Sequence, residues 1–242
     1  LLKPIDANYK VNSFKAGSWA LQPSEELFSD FEEFGIQLVM GVRKDMNVPG
    51  LGVNYENLDE DTMPYYPDFK DIRKIGKKGE VIIVPLTYVY PSWRDMFSLG
   101  RTLYAEKYVN KMVSSQYLSS VVPKEIIQNS PTGEKVRFKL KKNPYLTHLK
   151  FGGARSATYL KNTFDKTINR LRKIEGDGIP VVIESHTKNF INNYTDIEKF
   201  MHHIANTYHD EIEFVTMSDY ADRLASGSLP VRSCLLYTSP SP

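Results

Sequence analysis

Ser24-Glu25-Glu26-Leu27-Phe28-Ser29-Asp30-Phe31-Glu32-Glu33-Phe34-Gly35-Ile36-Gln37-Leu38-Val39-Met40-Gly41-Val42 reads as a helix handing over to a strand. Ser24 stands where a side-chain oxygen can accept an orphan backbone N–H, and Glu25 and Glu26 fall in the first turn, where the helix dipole favours negative charge. Leu27, Phe28, Phe31 and Phe34 recur at helical spacing and predict one apolar face. Gly35 supplies the left-handed residue that closes a helix. Residues 36–42 then read as a buried strand.

The same alternation runs outward from this unit. Residues 81–86 are apolar and β-branched, and predict another buried strand. In the last third, a helix is predicted over about 155–174, broken by Gly176 and Gly178, followed by a strand over 179–184. Thr195 and Glu198 have the spacing of a capping box for a helix ending near Tyr208. A strand over 211–216 and a last helix through Leu224, capped by Ser218, complete the pattern. Helices and strands alternating over short links predict an α/β fold with parallel strands. In such folds the reacting residues lie at the carboxyl ends of strands. Residues 43–79 are rich in Pro and Gly and predict a long loop, a feature more often functional than idle. The basic run at 70–78 reads as a solvated face. In the stretch 91–153, a helix is expected over about 101–119 and an edge strand or hairpin arm over 135–142.

The 242 residues suffice for one large domain or two small ones. With 41% apolar and 25% charged residues the composition is globular, which excludes disordered and collagen-like chains. Lys and Arg total 31 against 29 acids, so a net charge of +2 gives no general attraction to nucleic acid or membrane. No apolar run approaches the roughly 20 residues of a membrane span. Fifteen tyrosines suit either sugar stacking or a core.

Both ends of the chain look unnatural. Leu1-Leu2-Lys3-Pro4 carries neither initiator Met nor signal peptide, and reads as an entry in mid-domain. From Cys234 the residues are Cys-Leu-Leu-Tyr-Thr-Ser-Pro-Ser-Pro, encoded by DNA that resembles the transposase adapter of sequencing libraries. Residues 233–242 are therefore expected to be translated adapter, and 1–232 the carboxy-terminal part of one domain. The only cysteine, Cys234, then leaves no native disulfide, thiolate metal site or cysteine nucleophile. A chain without disulfides leans toward a reducing compartment such as the cytoplasm.

Two stretches carry candidate chemistry. Ser185-His186-Thr187-Lys188 follows directly on the strand 179–184, so His186 is expected at the rim of the sheet, where an imidazole can act as general acid or base. The alternative is a histidine bonded to a loop carbonyl. Phe14-Lys15-Ala16-Gly17-Ser18-Trp19 joins a cation, small residues and an aromatic in a strand and its exit loop. Small residues there let backbone N–H groups approach an oxyanion; a turn with a core tryptophan is the alternative. His202, His203 and His209 lack metal-ligand spacing and read as surface or half-buried. His148 is expected in a loop without a partner, and Met201 and Met217 as core filler. Phosphate-loop, nucleophile-elbow and His-Glu-x-x-His patterns do not occur.

Ser13-Phe14-Lys15-Ala16-Gly17-Ser18-Trp19, Gln22-Pro23-Ser24, Gly35-Ile36, Ile179-Pro180 through Glu184-Ser185-His186-Thr187-Lys188, and Glu213-Phe214-Val215-Thr216 together resemble the polysaccharide deacetylase (NodB-like) family, closest to its branch in bacterial surface-polysaccharide gene clusters. The resemblance implies a partial, distorted (β/α) barrel, incomplete at its amino end. It implies a metal-dependent hydrolase that removes N- or O-acetyl groups from a carbohydrate, with a divalent metal, zinc being the expected ion. The family's Thr-Phe-Asp-Asp motif, which holds the base and one ligand, and its His-x-x-x-His motif are absent here and would lie upstream of Leu1. No metal ligand is therefore expected in this chain. Phe14 to Trp19 falls on the motif whose arginine orients the base. Lys15 takes that place, with Gly17, Ser18 and Trp19 facing substrate. His186 matches the general acid, with Lys188 nearby for substrate. Two other readings stay open: a non-catalytic carbohydrate-binding relative, and a barrel glycosidase with Glu184 and Asp45 as its carboxylates.

Overall fold

A computed structural model describes residues 11–89, 147–148, 150–151, 157–174, 176–185 and 187–234. The chain forms two compact units: Leu1–Tyr88 with Asn169–Ile183 and Glu213–Pro242, and Val89–Ile168 with Glu184–Ile212. The helix expected over 101–119 and the arm over 135–142 lie outside the described residues.

The first unit is built on three parallel strands, β1 (Ser13–Lys15), β2 (Leu38–Met40) and β5 (Ile82–Val84), hydrogen-bonded in that order. Ser13 pairs with Leu38 and Lys15 with Met40; Leu38 pairs with Ile82 and Met40 with Val84. Because successive strand side chains point to opposite faces, Val39 and Ile83 enter one apolar cluster, while Leu38, Ile82 and Val84 enter the other. Both faces are thus covered, as a parallel sheet requires.

Helix α1 (Glu25–Phe34) supplies the first cover. Phe28 and Phe31 are buried, 5.4 Å apart at their ring centroids, and Phe31 lies 4.8 Å from Phe14. Each buried aromatic is worth about 1.5–3 kcal/mol. Gly35 ends the helix at φ 73, and its N–H returns to the Glu32 carbonyl. Two expectations fail here. Phe34, in the last turn, is 73% exposed. Ser24 does not cap: its own backbone is already helical, and its hydroxyl donates to the Phe69 carbonyl at 2.7 Å, tying the loop to the helix start.

The stretch 43–79 is irregular, as expected, apart from a hairpin of β3 (Asn47–Val48) and β4 (Val53–Asn54). It is not a surface excursion: Tyr55, Met63, Tyr65 and Ile72 are buried in it. Part of the basic run is paired. Lys74 reaches Asp59 at 2.9 Å, and Arg73 donates through Nε and Nη2 to both oxygens of Asp71. The Arg73 hydrogen bonds hold the Asp71 carboxyl below its ordinary value of 3.8. A depressed carboxyl contributes stability above its unfolded pKa and loses it as pH falls through the folded one. That contribution is complete above about pH 5 and drains away below about pH 4. The Asp71→Asn variant is therefore expected to lose less of its melting temperature than the parent between those values.

Helix α4 (Met217–Ala225) covers the second face of the sheet, burying Tyr220, Ala221 and Leu224 in the cluster of Leu38, Ile82 and Val84. Its cap is Thr216, not Ser218: Thr216 Oγ1 accepts the Asp219 N–H at 3.1 Å. The strand expected over 211–216 is absent. Phe214 is 61% exposed and Val215 38%, and no described strand pairs with residues 211–216.

The strand expected over 179–184 is also shorter than its apolar run. Residues 179–183 are only half-buried, Pro180 offers no N–H, and the Val182 N–H donates to Thr87 Oγ1 instead of a strand carbonyl. Ladder pairing begins at β9 (Glu184–Ser185), parallel to β8 (Lys150–Phe151), both in the second unit. Two further short strands are β6 (Tyr88–Val89) and β7 (Thr147–His148). Helix α2 (Ala157–Leu171) matches its expected span. Helix α3 (Thr187–Thr207) runs straight through Thr195 and Glu198, so these do not start a helix. Within the second unit, Phe164 meets Phe200 and Tyr208 at centroid distances of 5.4 and 5.5 Å. The chain is thus mixed α/β, with a small parallel sheet and four described helices; its described strands form no barrel. No described helix is long and apolar enough to cross a membrane.

Candidate functional site at the carboxyl edge of the sheet

The three strands of the first unit end together, and the residues just past their carboxyl ends form the candidate site. Lys15 is the last residue of β1 and is exposed. The buried Ala16 donates its N–H to the Met40 carbonyl at 3.2 Å, holding the exits of β1 and β2 side by side. A Cβ on Gly41 would stand 3.2 Å from the Ala16 Cβ, so the approach depends on the missing side chain. Gly17–Trp19 then forms one 3-10 turn, which contains three of the expected site residues, Gly17, Ser18 and Trp19.

Trp19 sits at φ 59, a left-handed conformation that costs a bulky residue free energy. Tyr55 compensates. Its hydroxyl donates to the Trp19 carbonyl at 2.5 Å and accepts the Leu21 N–H at 3.2 Å. Burial pushes the Tyr55 phenol up to about 12, so it stays a donor throughout the neutral range. Removing that hydroxyl leaves two backbone groups without their partner. The Tyr55→Phe variant is expected to lose about 1–3 kcal/mol in denaturant unfolding.

Arg43 and Lys44, just past the central strand, approach different aromatic rings. Arg43 comes within 6.0 Å of the Trp19 ring centroid, as does Lys15 from β1. Lys44 pairs with Asp61 and stands 4.8 Å from the Tyr88 ring, after β5. Burial opposes the Lys44 charge, but the hydrogen bond and charge of Asp61 outweigh it and hold its pKa above the ordinary value. Arg170 stacks on Tyr88 at 4.0 Å and donates to its carbonyl at 3.2 Å. The edge is therefore lined by cations on two aromatic platforms, with Asp61 answering one of them.

Sequence motifs alone do not single out Arg43, Lys44, Tyr55, Asp61, Tyr88 or Arg170. For Arg43 and Lys44 a signal exists, since they directly follow an apolar strand, the same rule that selects His186. For Tyr55 and Arg170, far from any motif, there is none.

His186 lies outside the described residues; its neighbours Ser185 and Thr187 end β9 and open α3. Lys188 is the second residue of α3. Of the two carboxylates in the glycosidase reading, Asp45 is exposed at φ 54 in the first unit, and Glu184 lies in β9 of the second. His148 falls in β7 and not in a loop, and Met217 is 36% exposed where core filling was expected.

The second unit holds one further polar cluster. Asp165 Oδ1 meets His203 Nε2 and the Tyr208 hydroxyl, each at 2.7 Å, and His203 Nδ1 meets Thr207 Oγ1 at 3.2 Å. An ionised carboxylate only accepts, so Nε2 carries the proton and a neutral ring accepts from Thr207 through Nδ1. Every ring nitrogen is satisfied, which makes His203 a clamp between α2 and α3. Among the described residues no group of three or more His, Cys, Asp and Glu could hold a metal ion. No protein-family model, curated protein or solved structure matches the chain.

Proposed function

We propose that the chain is the carboxy-terminal part of a metal-dependent carbohydrate deacetylase of the NodB type, hydrolysing N- or O-acetyl groups on a surface polysaccharide or its precursor. The observation that carries this reading is the placement of the Phe14–Trp19 motif. It forms a strand end and a 3-10 turn at the carboxyl edge of a parallel sheet, where α/β folds gather reacting groups. In this reading the sheet, covered by helices on both faces, is a segment of a distorted (β/α) barrel.

The described residues supply no ligand set for the divalent metal, zinc being the expected ion. Its ligands and the catalytic base fall to the Thr-Phe-Asp-Asp and His-x-x-x-His motifs that this sequence lacks. When bound, such a metal supplies an activated water and polarises the carbonyl. The chain's own residues do the rest. Lys15 orients the base by charge, without the two-pronged grip of an arginine. A backbone N–H of the Gly17–Trp19 turn takes the developing oxyanion. His186 delivers a proton to the departing amine or alcohol. Trp19 and Lys188 bind the sugar.

The lysine in place of arginine also favours a second reading, a carbohydrate-binding relative without turnover. Acetate release from acetylated oligosaccharides, with zinc added, separates the two. This chain alone is expected to release none, and the protein extended upstream through the two missing motifs is expected to release it. Turnover by this chain alone would show that the site is misplaced. If the extended protein has neither motif and binds sugar without turnover, the binding module stands.

A further inference from the structure

We propose that Thr207 is an acyl-acceptor site in the second unit: its hydroxyl, activated by His203 with Asp165 behind it, takes an acyl group from an ester with a good leaving group, an aryl ester or a thioester. His203 and Thr207 stand one helical turn apart at the end of α3, so they share a face of the helix. His203 Nδ1 accepts from the Thr207 hydroxyl at 3.2 Å, and the Nε2–H donates to Asp165 Oδ1 of α2 at 2.7 Å. A hydroxyl within reach of a base that a third group orients is the arrangement of an activated nucleophile. Tyr208 fixes the pair further: its ring meets the imidazole edge-on with centroids 5.9 Å apart, and its hydroxyl donates to the same Asp165 oxygen at 2.7 Å. The His203 side chain is only 18% exposed while Thr207 is exposed, so a donor reaches the hydroxyl and the base behind it stays in place. In the step, Thr207 Oγ1 bonds to the acyl carbon as its proton passes to Nδ1, and the bond from that carbon to the leaving oxygen or sulfur breaks with its electron pair. The imidazolium, stabilised by Asp165, returns the proton to the leaving group, so the products are an ester on Thr207 and a free phenol or thiol. The same geometry limits the site. The Tyr208 N–H, the next backbone donor after Thr207, is bonded to the Ile204 carbonyl at 2.9 Å, and the carboxyl end of a helix disfavours a developing oxyanion. Only an acyl group whose leaving group departs readily is therefore transferred, and acetylated sugars leave Thr207 unmodified. The inference thus stands apart from the deacetylase reading.

Labelling of the full chain with para-nitrophenyl acetate, followed by peptide mass spectrometry, tests this. Thr216 is the internal reference, because its hydroxyl is also exposed and is bonded to a carboxylate, that of Asp219, at 2.7 Å. Thr207 is expected to gain an acetyl group about a hundredfold or more faster than Thr216, the range a positioned base supplies. Ethyl acetate, with its poor leaving group, should label neither. His203→Gln should bring Thr207 down to the rate of Thr216, and Thr207→Ser should keep the label at residue 207. Asp165→Asn should slow labelling about tenfold or more, and Asp165→Glu, which restores the carboxylate, should recover part of the loss. Thr207 labelled no faster than Thr216, label confined to lysines, or a His203→Gln chain that melts with the parent and keeps the fast label would overturn the site. If His203→Gln does not fold, the ratio of the two threonines in the parent decides. Asp165→Asn labelled at the parent's rate would remove Asp165 from the relay, and ethyl acetate labelling Thr207 as fast as the aryl ester would overturn the restriction to good leaving groups. Acetate release from acetylated oligosaccharides is measured on a different substrate, so the deacetylase reading and the acceptor site fail separately.

Discussion

If the proposed deacetylase reading holds, replacing His186 by alanine in the protein extended upstream of Leu1 is expected to lower kcat for acetate release by about a hundred- to ten-thousand-fold, with KM for the saccharide little changed. The reason lies in what a general acid does. An amine or sugar alcohol leaves poorly unless it is protonated as the bond to carbon breaks, and a positioned imidazolium supplies that proton without a prior equilibrium in water. The loss should therefore depend on the leaving group. With an aryl acetate, whose phenolate departs unaided, His186→Ala should cost little. With an N-acetyl sugar it should cost the full factor. A merely structural histidine would damage both substrates alike, so an equal loss on the two removes His186 from the reaction.

How far the fold is legible in the sequence depends on what each stretch has to bury. Residues 24–42 combine a helical period, a glycine closure and a run that packs on both faces, and three local signals agreeing specify the right elements. The 179–183 run is apolar and 211–216 alternates in part, yet they form almost no ladder. A strand needs a neighbour as well as a composition, and a single sequence does not state which edge is free. Thr195 and Glu198 fail for a related reason. A capping box is two residues at a spacing, and inside a continuous helix the same two residues simply lie on its surface. Phe34 shows the limit of periodicity: it keeps the spacing of the apolar face and is still exposed.

The candidate site is legible in part. The Phe14–Trp19 motif can be placed because a strand and its exit are contiguous in sequence. Tyr55, which holds Trp19 by its hydroxyl, comes from 36 residues further on, through a loop whose course no local rule gives. Arg170 reaches Tyr88 across 82 residues, for the same reason. Motifs identify residues that touch a ligand; the residues that hold them in place are chosen by the fold.

Gly76→Ala is expected to destabilise the first unit by about 3 kcal/mol or more, the range of overpacking against an unyielding neighbour. A Cβ at Gly76 would run into the Pro67 carbonyl oxygen and lie 2.6 Å from its carbon and 2.8 Å from the Asp68 nitrogen. All three atoms are backbone, so no rotamer change relieves the clash, and the chain at 67–68 must move. That chain is anchored immediately before it: Tyr65 exchanges hydrogen bonds with Ile83 of β5 at 3.0 and 2.9 Å, and its buried hydroxyl donates to the Ile72 carbonyl at 2.6 Å. The Gly76 N–H itself donates to the Tyr66 carbonyl at 2.6 Å. Moving Pro67 therefore strains contacts that connect the long loop to the sheet. Gly17→Ala is the control, because nothing lies within 4 Å of its added Cβ, and it should shift stability by no more than about 0.5 kcal/mol. Urea unfolding midpoints of the two variants compare them directly. If Gly76→Ala unfolds within that same margin of the parent, the loop is not bound to β5 as tightly as these contacts require, and the platform that Tyr55 builds under Trp19 loses its support.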